Sequence, residues 1–232
     1  REKIRIIDHR DIFREYEDWL PTFNSMAIEA MAWRIDGLAE RFIYFNDDMF
    51  LGGPCALQDF FIGDATVLRG AWTHLSPTKI DPFVTKIYRA SKLNAATAMG
   101  FGPDRFFSAA HVATPMRVSV LRELFDTHPD WLARNAGARF RADNQYLVQG
   151  LFVHAAIKAD AAIIRRRADY QNLSATYCAR GPYLAMRANL AIIRARPQRF
   201  KLLCVNDLAL LQRRFGPKID AALRRALRIA KT

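Results

Sequence analysis

Residues 20–52 read LPTFNSMAIEAMAWRIDGLAERFIYFNDDMFLG, and this stretch decides how the chain is interpreted. Its first part predicts a helix over Ser25–Arg34, with Asn24 or Ser25 as N-cap and Asp36-Gly37 at its end. An apolar strand, Arg41–Phe45, follows and stops abruptly at Asn46-Asp47-Asp48. Many α/β enzymes place acids in this way, at the carboxyl edge of a sheet where ligands bind. Two adjacent carboxylates repel unless a cation, a proton or a cationic partner offsets them. A divalent metal holding a phosphorylated substrate is one such partner. The alternative is an acidic turn that caps the next element, because Asn and Asp favour turns.

The 232 residues are 51% hydrophobic and 25% charged, a composition that supports a sizeable core and excludes a disordered chain. No apolar run is long enough to span a membrane, and no signal peptide is visible. Residue 1 is Arg, so a processed or excised segment is expected. Cys55, Cys178 and Cys204 lack C-x-x-C spacing. That argues against a zinc site or a disulfide framework and for buried thiols in a reducing cytosol. The net charge is +12, and from Arg165 onward Lys and Arg far outnumber the acids Asp169, Asp207 and Asp220. Such a surplus attracts polyanions or anionic headgroups, or else forms a solvated helical face.

Outward from the central stretch, Ile4–Ile7 reads as a short strand. Residues Leu51–Pro82 read as an irregular loop or flap with short β-like pieces at Ala56–Ile62 and Ala65–Leu68. Helices are expected over Pro82–Met99, Pro115–Asp126 and Pro129–Asn135, the last two opened by proline. Asp143–Ile164 is the longest helical candidate. Asn172–Cys178 reads as a strand, Pro182–Arg194 as a helix, Phe200–Val205 as a strand closing at Asn206-Asp207, and Pro217–Ala230 as a basic helix. Alternating strands and helices, with a largely helical second half, favour a layered α/β domain.

Glu29, the Asp47-Asp48 pair and Asn206-Asp207 all sit at element ends. FIYFNDD and KLLCVND repeat one pattern, and if those strands lay side by side their tips would cluster carboxylates around one metal. His111, in FFSAAHVATPMR, lies between an apolar run and a proline-led helix, a position suited to acid-base work or to a structural histidine. His154, inside an apolar helical run, reads as core. Arg139 and Arg141 precede a helix start, where guanidinium binds phosphate bidentately, or where an Arg pairs with Asp143 at the surface. No P-loop, GxGxxG, GxSxG or HExxH motif occurs.

Together, IRIIDHRDIF, the 20–52 stretch, SAAHVATPMRVSVLRELF with RFRADNQ, and LLCVND resemble the Stealth family of sugar-phosphate transferases. Among its members are bacterial capsular polysaccharide phosphotransferases and the catalytic part of the animal N-acetylglucosamine-1-phosphotransferase. The resemblance implies a single catalytic domain over residues 1–232, of modified Rossmann or glycosyltransferase-A-like type. It implies transfer of a hexose-1-phosphate from a UDP-sugar to a hydroxyl of an oligosaccharide acceptor. Carried over by motif, Glu29, Asp47 and Asp48 look like the acidic catalytic and metal-binding group, with Asp207 as a further ligand to Mg²⁺ or Mn²⁺. His111 resembles the base and Arg141 the phosphate-contacting arginine. Asn24, Ser25, Arg139 and Asn206 would then bind substrate. Two departures are visible. The family's first block, with a YTWVDG-like motif that helps bind the nucleotide, does not occur in this chain. The usual histidine after Glu29 is replaced by Met31 and Trp33, and the A-H-x-P-H pattern appears as AHVATP, which leaves His111 as the sole base candidate of that block.

The implied setting is cytoplasmic or peripheral at the inner membrane, with no nucleic acid as partner. Two other readings compete. One is an ordinary metal-dependent glycosyltransferase. The other is a basic, non-catalytic module for nucleic acid or anionic membrane, which leaves the acidic tips unexplained and lacks interleaved aromatic and basic residues.

Overall fold

The computed structural model describes residues 4–74, 86–165, 169–174, 190, 191, 193 and 199–227. In chain order the helices are α1 (His9–Ile12), α2 (Ser25–Met31), α3 (Lys86–Ala98), α4 (Val118–Thr127), α5 (Pro129–Ala136), α6 (Val148–Lys158), α7 (Leu208–Phe215) and α8 (Pro217–Ala226). The strands are β1 (Arg41–Tyr44), β2 (Met49–Leu51), β3 (Phe61–Ile62), β4 (Ala65–Leu68), β5 (Gly70–Thr73), β6 (Phe106–Ala109), β7 (Thr114–Arg117), β8 (Ala162–Ile164), β9 (Tyr170–Ser174) and β10 (Leu202–Asn206). The class is mixed α/β, as expected, built on several small sheets. None of the helices among the described residues is long and apolar enough to cross a membrane.

The chain forms two compact units. Unit 1 comprises Arg1–Phe42, Ala71–Ala109 and Met116–Ala162; unit 2 comprises Ile43–Gly70, Ala110–Pro115 and Ile163–Thr232.

Unit 1 is mostly helical. The apolar face of α2 (Met26, Ala27, Ala30 and Met31) is buried and packs on α5 and α6. Helix α3 approaches α6 so closely that a Cβ on Gly150 would lie 2.9 Å from the Cβ of Ala95, and glycine is required there. His154 is 1% exposed and is fixed as a neutral tautomer. Its Nε2 accepts from the Phe107 amide at 3.1 Å, and its Nδ1 donates to the Gly150 carbonyl at 2.7 Å. Burial holds its pKa below the ordinary histidine value, in keeping with the core position expected from the sequence. Helix α4 lacks a cap from its own N-cap residue, Arg117. Glu40 supplies one instead, accepting from the Ser119 amide at 3.1 Å and the Ser119 hydroxyl at 2.6 Å. A carboxylate there also complements the helix dipole.

Unit 2 is organised around β10, which runs antiparallel to β2, with Cys204 opposite Met49, and parallel to β9, with Cys204 opposite Asn172. Its residues alternate between two cores, as strand geometry requires. Leu203 and Val205 pack with Leu211, Phe215, Ile219 and Leu223 of α7 and α8, whereas Leu202 and Cys204 pack with Met49, Phe60, Phe61 and Val112. A Cβ on Gly52 would stand 2.7 Å from the Phe200 carbonyl, so glycine permits the chain after β2 to lie along the start of β10.

Below this sheet lies a buried ionic network. Arg69, 5% exposed, forms a bidentate pair with Asp169 at 2.7 and 2.8 Å and donates to the Asp59 carbonyl at 3.0 Å. The Asp59 carboxylate accepts from Lys201 at 2.6 Å, from the Ala56 amide at 2.9 Å and from Arg165 at 3.2 Å. Burial alone would raise the Asp59 carboxyl, but the bonds and charges of Lys201, Ala56 and Arg165 outweigh it and hold the group below its ordinary value.

Several expectations are corrected. Ile4–Ile7 forms no strand; Ile6 is 92% exposed, and no strand among the described residues pairs with this segment. Pro115 lies within β7, and α4 begins three residues later at Val118, where Glu40 caps it. The long helix expected over residues 143–164 is confined to Val148–Lys158. Residues 143 and 145 are held outside it because their carbonyls accept from Asn94 of α3 at 2.8 and 2.9 Å. Asp160, with φ of +53°, takes the chain out of the helix and into β8. The strand expected over Asn172–Cys178 spans Tyr170–Ser174, and its remainder lies outside the described residues. So do Cys178, most of the expected helix over residues 182–194, and the segment 75–85.

Arg69→Met should destabilise the chain by about 3–5 kcal/mol, because it strips Asp169 of its bidentate partner in a buried setting; a urea midpoint unchanged from wild type would refute this. A carboxyl lowered in the folded state stabilises above its unfolded value near ~3.9 and loses that contribution as pH falls through the folded value. The stability difference between wild type and Asp59→Asn should therefore shrink as pH drops below about 4, measured by denaturation at stepped pH.

Candidate functional site

The Asn46-Asp47-Asp48 segment is not the carboxyl end of a strand paired with β10. It is a tight turn between β1 and β2, closed by the Met49 amide on the Asn46 carbonyl at 3.1 Å. Strand β10 pairs with β2, not β1, so the repeated strand-then-Asn-Asp patterns do not lie side by side. The antiparallel register nevertheless brings one acid to the β10 tip, because the Val205 amide donates to the Asp48 carbonyl at 2.8 Å.

Three side chains from distant parts of unit 2 converge there. Cys204, on the face of β10 that also carries Leu202 and Asn206, donates its thiol proton to Asp48 Oδ2 at 3.3 Å and lies 3.7 Å from Asn206 Oδ1. His111 projects from the bend before β7, where the Val112 amide bonds the Ala110 carbonyl at 2.9 Å. Its Nε2 stands 3.3 Å from the same Asp48 Oδ2. Ligand atoms of Asp48, His111 and Cys204 all lie within 4.8 Å of one another. Burial foremost, and the adjacent Asp48 charge, push the Cys204 thiol far above its ordinary pKa.

Oδ2 of Asp48 thus takes both donors, whereas Oδ1 is buried and has no hydrogen-bond partner among the described residues. A buried carboxylate oxygen without a partner is costly, and a divalent cation removes that cost. Among the described residues, Asp48 is the one expected metal ligand in this cluster. Asp47 is exposed on the turn, and Asp207 sits just beyond β10 in a left-handed conformation at the N-cap of α7.

Unit 1 gathers the other residues singled out from the sequence. Asn24 is fully buried. Its Oδ1 caps α2 by accepting from the Met26 amide at 3.1 Å, and its Nδ2 donates to the carbonyls of Ala138 and Phe140 and to Gln145 Oε1 at 3.0–3.2 Å. These bonds fix the loop that carries Arg139 and Arg141. Arg141 donates to the Ser25 hydroxyl at 2.6 Å. Arg139 lies 5.5 Å over the ring of Phe23, which stacks on Phe140 at 5.6 Å. Arg141 is seven residues from the first residue of α6 and so does not stand at a helix start, and Asp143 pairs with Lys86 at 2.9 Å rather than with either arginine. Glu29 accepts from Gln149 at 3.1 Å. A polar cavity of about 320 Å³ in the same unit is lined by Arg14, Trp33, Arg34 and Arg122 among others, and by none of the candidate catalytic, substrate-binding or metal-binding residues.

The residue missed by sequence reasoning is Cys204. Its signal was its spacing: two positions before Asn206 on a strand, it shares that residue's face.

Comparison with known proteins places these observations in a family. Residues 1–68 match the family model of Stealth protein CR2, conserved region 2. The exopolysaccharide phosphotransferase SCO6023 of Streptomyces coelicolor is 30% identical over 213 residues, covering 88% of this chain and 34% of that protein. The exopolysaccharide phosphotransferase CpsY of Mycobacterium tuberculosis is 35% identical over 154 residues, 66% of this chain and 29% of that protein. The exopolysaccharide phosphotransferase cps2G of Lactiplantibacillus plantarum is 28% identical over 237 residues, covering 88% and 65%. The chain spans about a third or less of the length of the first two relatives. With the second conserved region present through Asp48, and with similarity to these proteins extending over most of the sequence, the chain belongs to the Stealth protein family.

Proposed function

We propose that this chain is catalytic, transferring a hexose-1-phosphate from a UDP-sugar to a sugar hydroxyl in the synthesis of an exopolysaccharide. The fold this entails is a modified Rossmann or glycosyltransferase-A-like arrangement. The observation that carries the reading is the His111–Asp48 pair, at 3.3 Å, beside a buried carboxylate oxygen that lacks a partner among the described residues. That the relatives described above are exopolysaccharide phosphotransferases supports the reaction class.

The chemistry follows from the side chains. With His111 Nε2–H donating to Asp48, Nδ1 carries the lone pair that accepts a proton. The acceptor hydroxyl oxygen forms a bond to the β-phosphorus while its proton passes to Nδ1. The bond from that phosphorus to the bridging oxygen breaks, and the electron pair leaves with UMP. Asp48 orients the imidazole and stabilises the imidazolium. Arg141, steadied by Ser25, binds phosphoryl oxygens, for which a guanidinium is geometrically matched. Glu29 and Asn206 are the remaining polar contacts of the reading, with Arg139 beside the exposed Phe23 and Phe140. Asp48, with Asp47 and Asp207, would hold Mg²⁺ or Mn²⁺, which would supply charge neutralisation for the diphosphate. Exposed Arg213, Lys218, Arg224 and Arg225 on α7 and α8 support peripheral contact with an anionic membrane surface.

Because the anomeric C–O bond survives and P–O breaks, a UDP-hexose donor should yield UMP; release of UDP alone identifies an ordinary glycosyltransferase and rejects the reading. His111→Ala should lower turnover by roughly 10²–10⁴-fold with the circular dichroism spectrum retained, and near-wild-type turnover removes His111 from the base role. EDTA should abolish transfer, and Mg²⁺ or Mn²⁺ should restore it; activity indifferent to EDTA excludes the metal.

A further inference from the structure

We propose that Asp48, His111 and Cys204 form a binding site for a borderline-soft divalent cation, Zn²⁺ by its chemistry, and that its occupation silences His111. The silencing rests on the transferase reading; the binding does not.

The donor set is one carboxylate oxygen, one imidazole nitrogen and one sulfur. Mg²⁺ and Mn²⁺ select oxygen ligands, whereas Zn²⁺ accepts all three donor types and outranks both in affinity for a mixed set. Ligand atoms around a four-coordinate zinc at 2.0–2.3 Å stand roughly 3.3–3.7 Å apart. Two of the three edges of this site already measure 3.3 Å, from Asp48 Oδ2 to His111 Nε2 and to Cys204 Sγ, and the third is at most 4.8 Å. The three ligands are presented by the β1–β2 turn, the bend before β7 and the interior of β10, backbone held by hydrogen bonds and not by long mobile side chains.

Two further atoms point to a cation. Asp48 Oδ1 and Asn172 Oδ1 are both buried without a hydrogen-bond partner among the described residues, and Asn172 is the register neighbour of Cys204 on β9. An acceptor oxygen without a donor, on the carboxylate that already faces this thiol, is what a cation satisfies. Three protein ligands leave a fourth position for water.

On binding, the thiol proton of Cys204 leaves to solvent, sulfur bonds to the ion as thiolate, and the ion replaces the proton that bridges Sγ and Asp48. The Nε2 proton that faced Asp48 passes through solvent to Nδ1, and Nε2 then gives its lone pair to the ion. The imidazole can then no longer take a proton and pass it on as a free base, so zinc and catalysis compete for one ring. Cysteine spacing in the sequence argued against zinc because it searched for paired thiols; the fold instead joins one thiol to a histidine and an acid from far along the chain.

The test uses the whole chain and Co²⁺ as a spectroscopic stand-in for Zn²⁺. Wild type should show a thiolate-to-cobalt charge-transfer band and the intense visible bands of a four-coordinate ion, both displaced by one equivalent of Zn²⁺. Cys204→Ser should lose the charge-transfer band and bind Zn²⁺ at least about tenfold more weakly, whereas Cys55→Ser should keep both properties. Cys204→Ala, with circular dichroism as a check on folding, separates loss of the ligand from loss of structure. A wild type without the band, a band that disappears with Cys55→Ser, or equal zinc affinity in folded Cys204→Ser overturns the site. For silencing, the zinc concentration that halves UMP release should rise at least tenfold in Cys204→Ser, each protein normalised to its own zinc-free rate. An unchanged value overturns silencing. If no UMP is formed at all, the transferase reading has failed while the cobalt spectrum still decides the metal site.

Discussion

Strand β10 is the constraint on which unit 2 depends. Its first four residues alternate between two apolar cores, one built with α7 and α8 and the other with β2 and the bend that carries His111. A slip of one residue would turn Leu203 and Val205 toward the site and Cys204 toward the helices. Because both faces are buried, such a slip costs the burial of several large side chains at once, about 1.5–3 kcal/mol each. The register is therefore fixed by packing, and the position of Cys204 beside Asp48 follows from it. The Val205–Asp48 backbone bond then sets how far the acidic turn stands from the strand.

The ionic network beneath the sheet acts in the same direction. Arg69 and Asp169 are both largely withdrawn from water, where an unpaired charge is far more costly than a pair. The network does little to favour folding over an apolar equivalent, but it penalises any arrangement in which β4, the start of β9 and the start of β10 are not all in place. Asp59, Arg165 and Lys201 extend that penalty to the segment between β2 and β3. Positional accuracy at the site is thus supported by charges that take no part in its chemistry.

Much of this was legible from residue order, and the failures have physical causes. Asn24 as N-cap, the Ser25 start of α2, proline at the start of α5, and strands at residues 41–44 and 202–206 all follow from local rules. Pro115 misled because a strand of a two-stranded sheet has a free edge that tolerates proline, and the true cap of α4, Glu40, lies 79 residues from Ser119. The long helix failed because Asn94 holds the 143–145 backbone outside it, a tertiary bond that no local pattern announces. The Asn-Asp repeat correctly marked both tips but implied the wrong strand pairing, since the pairing partner, β2, comes after the acids. Cys204 escaped notice because a lone cysteine in an apolar strand looks like core, and it is core on every side but one.

Unit 2 is assembled from three separated stretches of chain, and its ligand set reaches from residue 48 to residue 204. Contacts of such sequence separation form late, since loop closure must precede them. During synthesis, at roughly 5–20 residues per second, the acidic turn and His111 emerge from the ribosome well before the strand that completes them. Until Leu202 and Cys204 arrive, Met49, Phe60, Phe61 and Val112 lack the strand on which they pack. The three side chains therefore meet only after β10 has been made and has paired with β2.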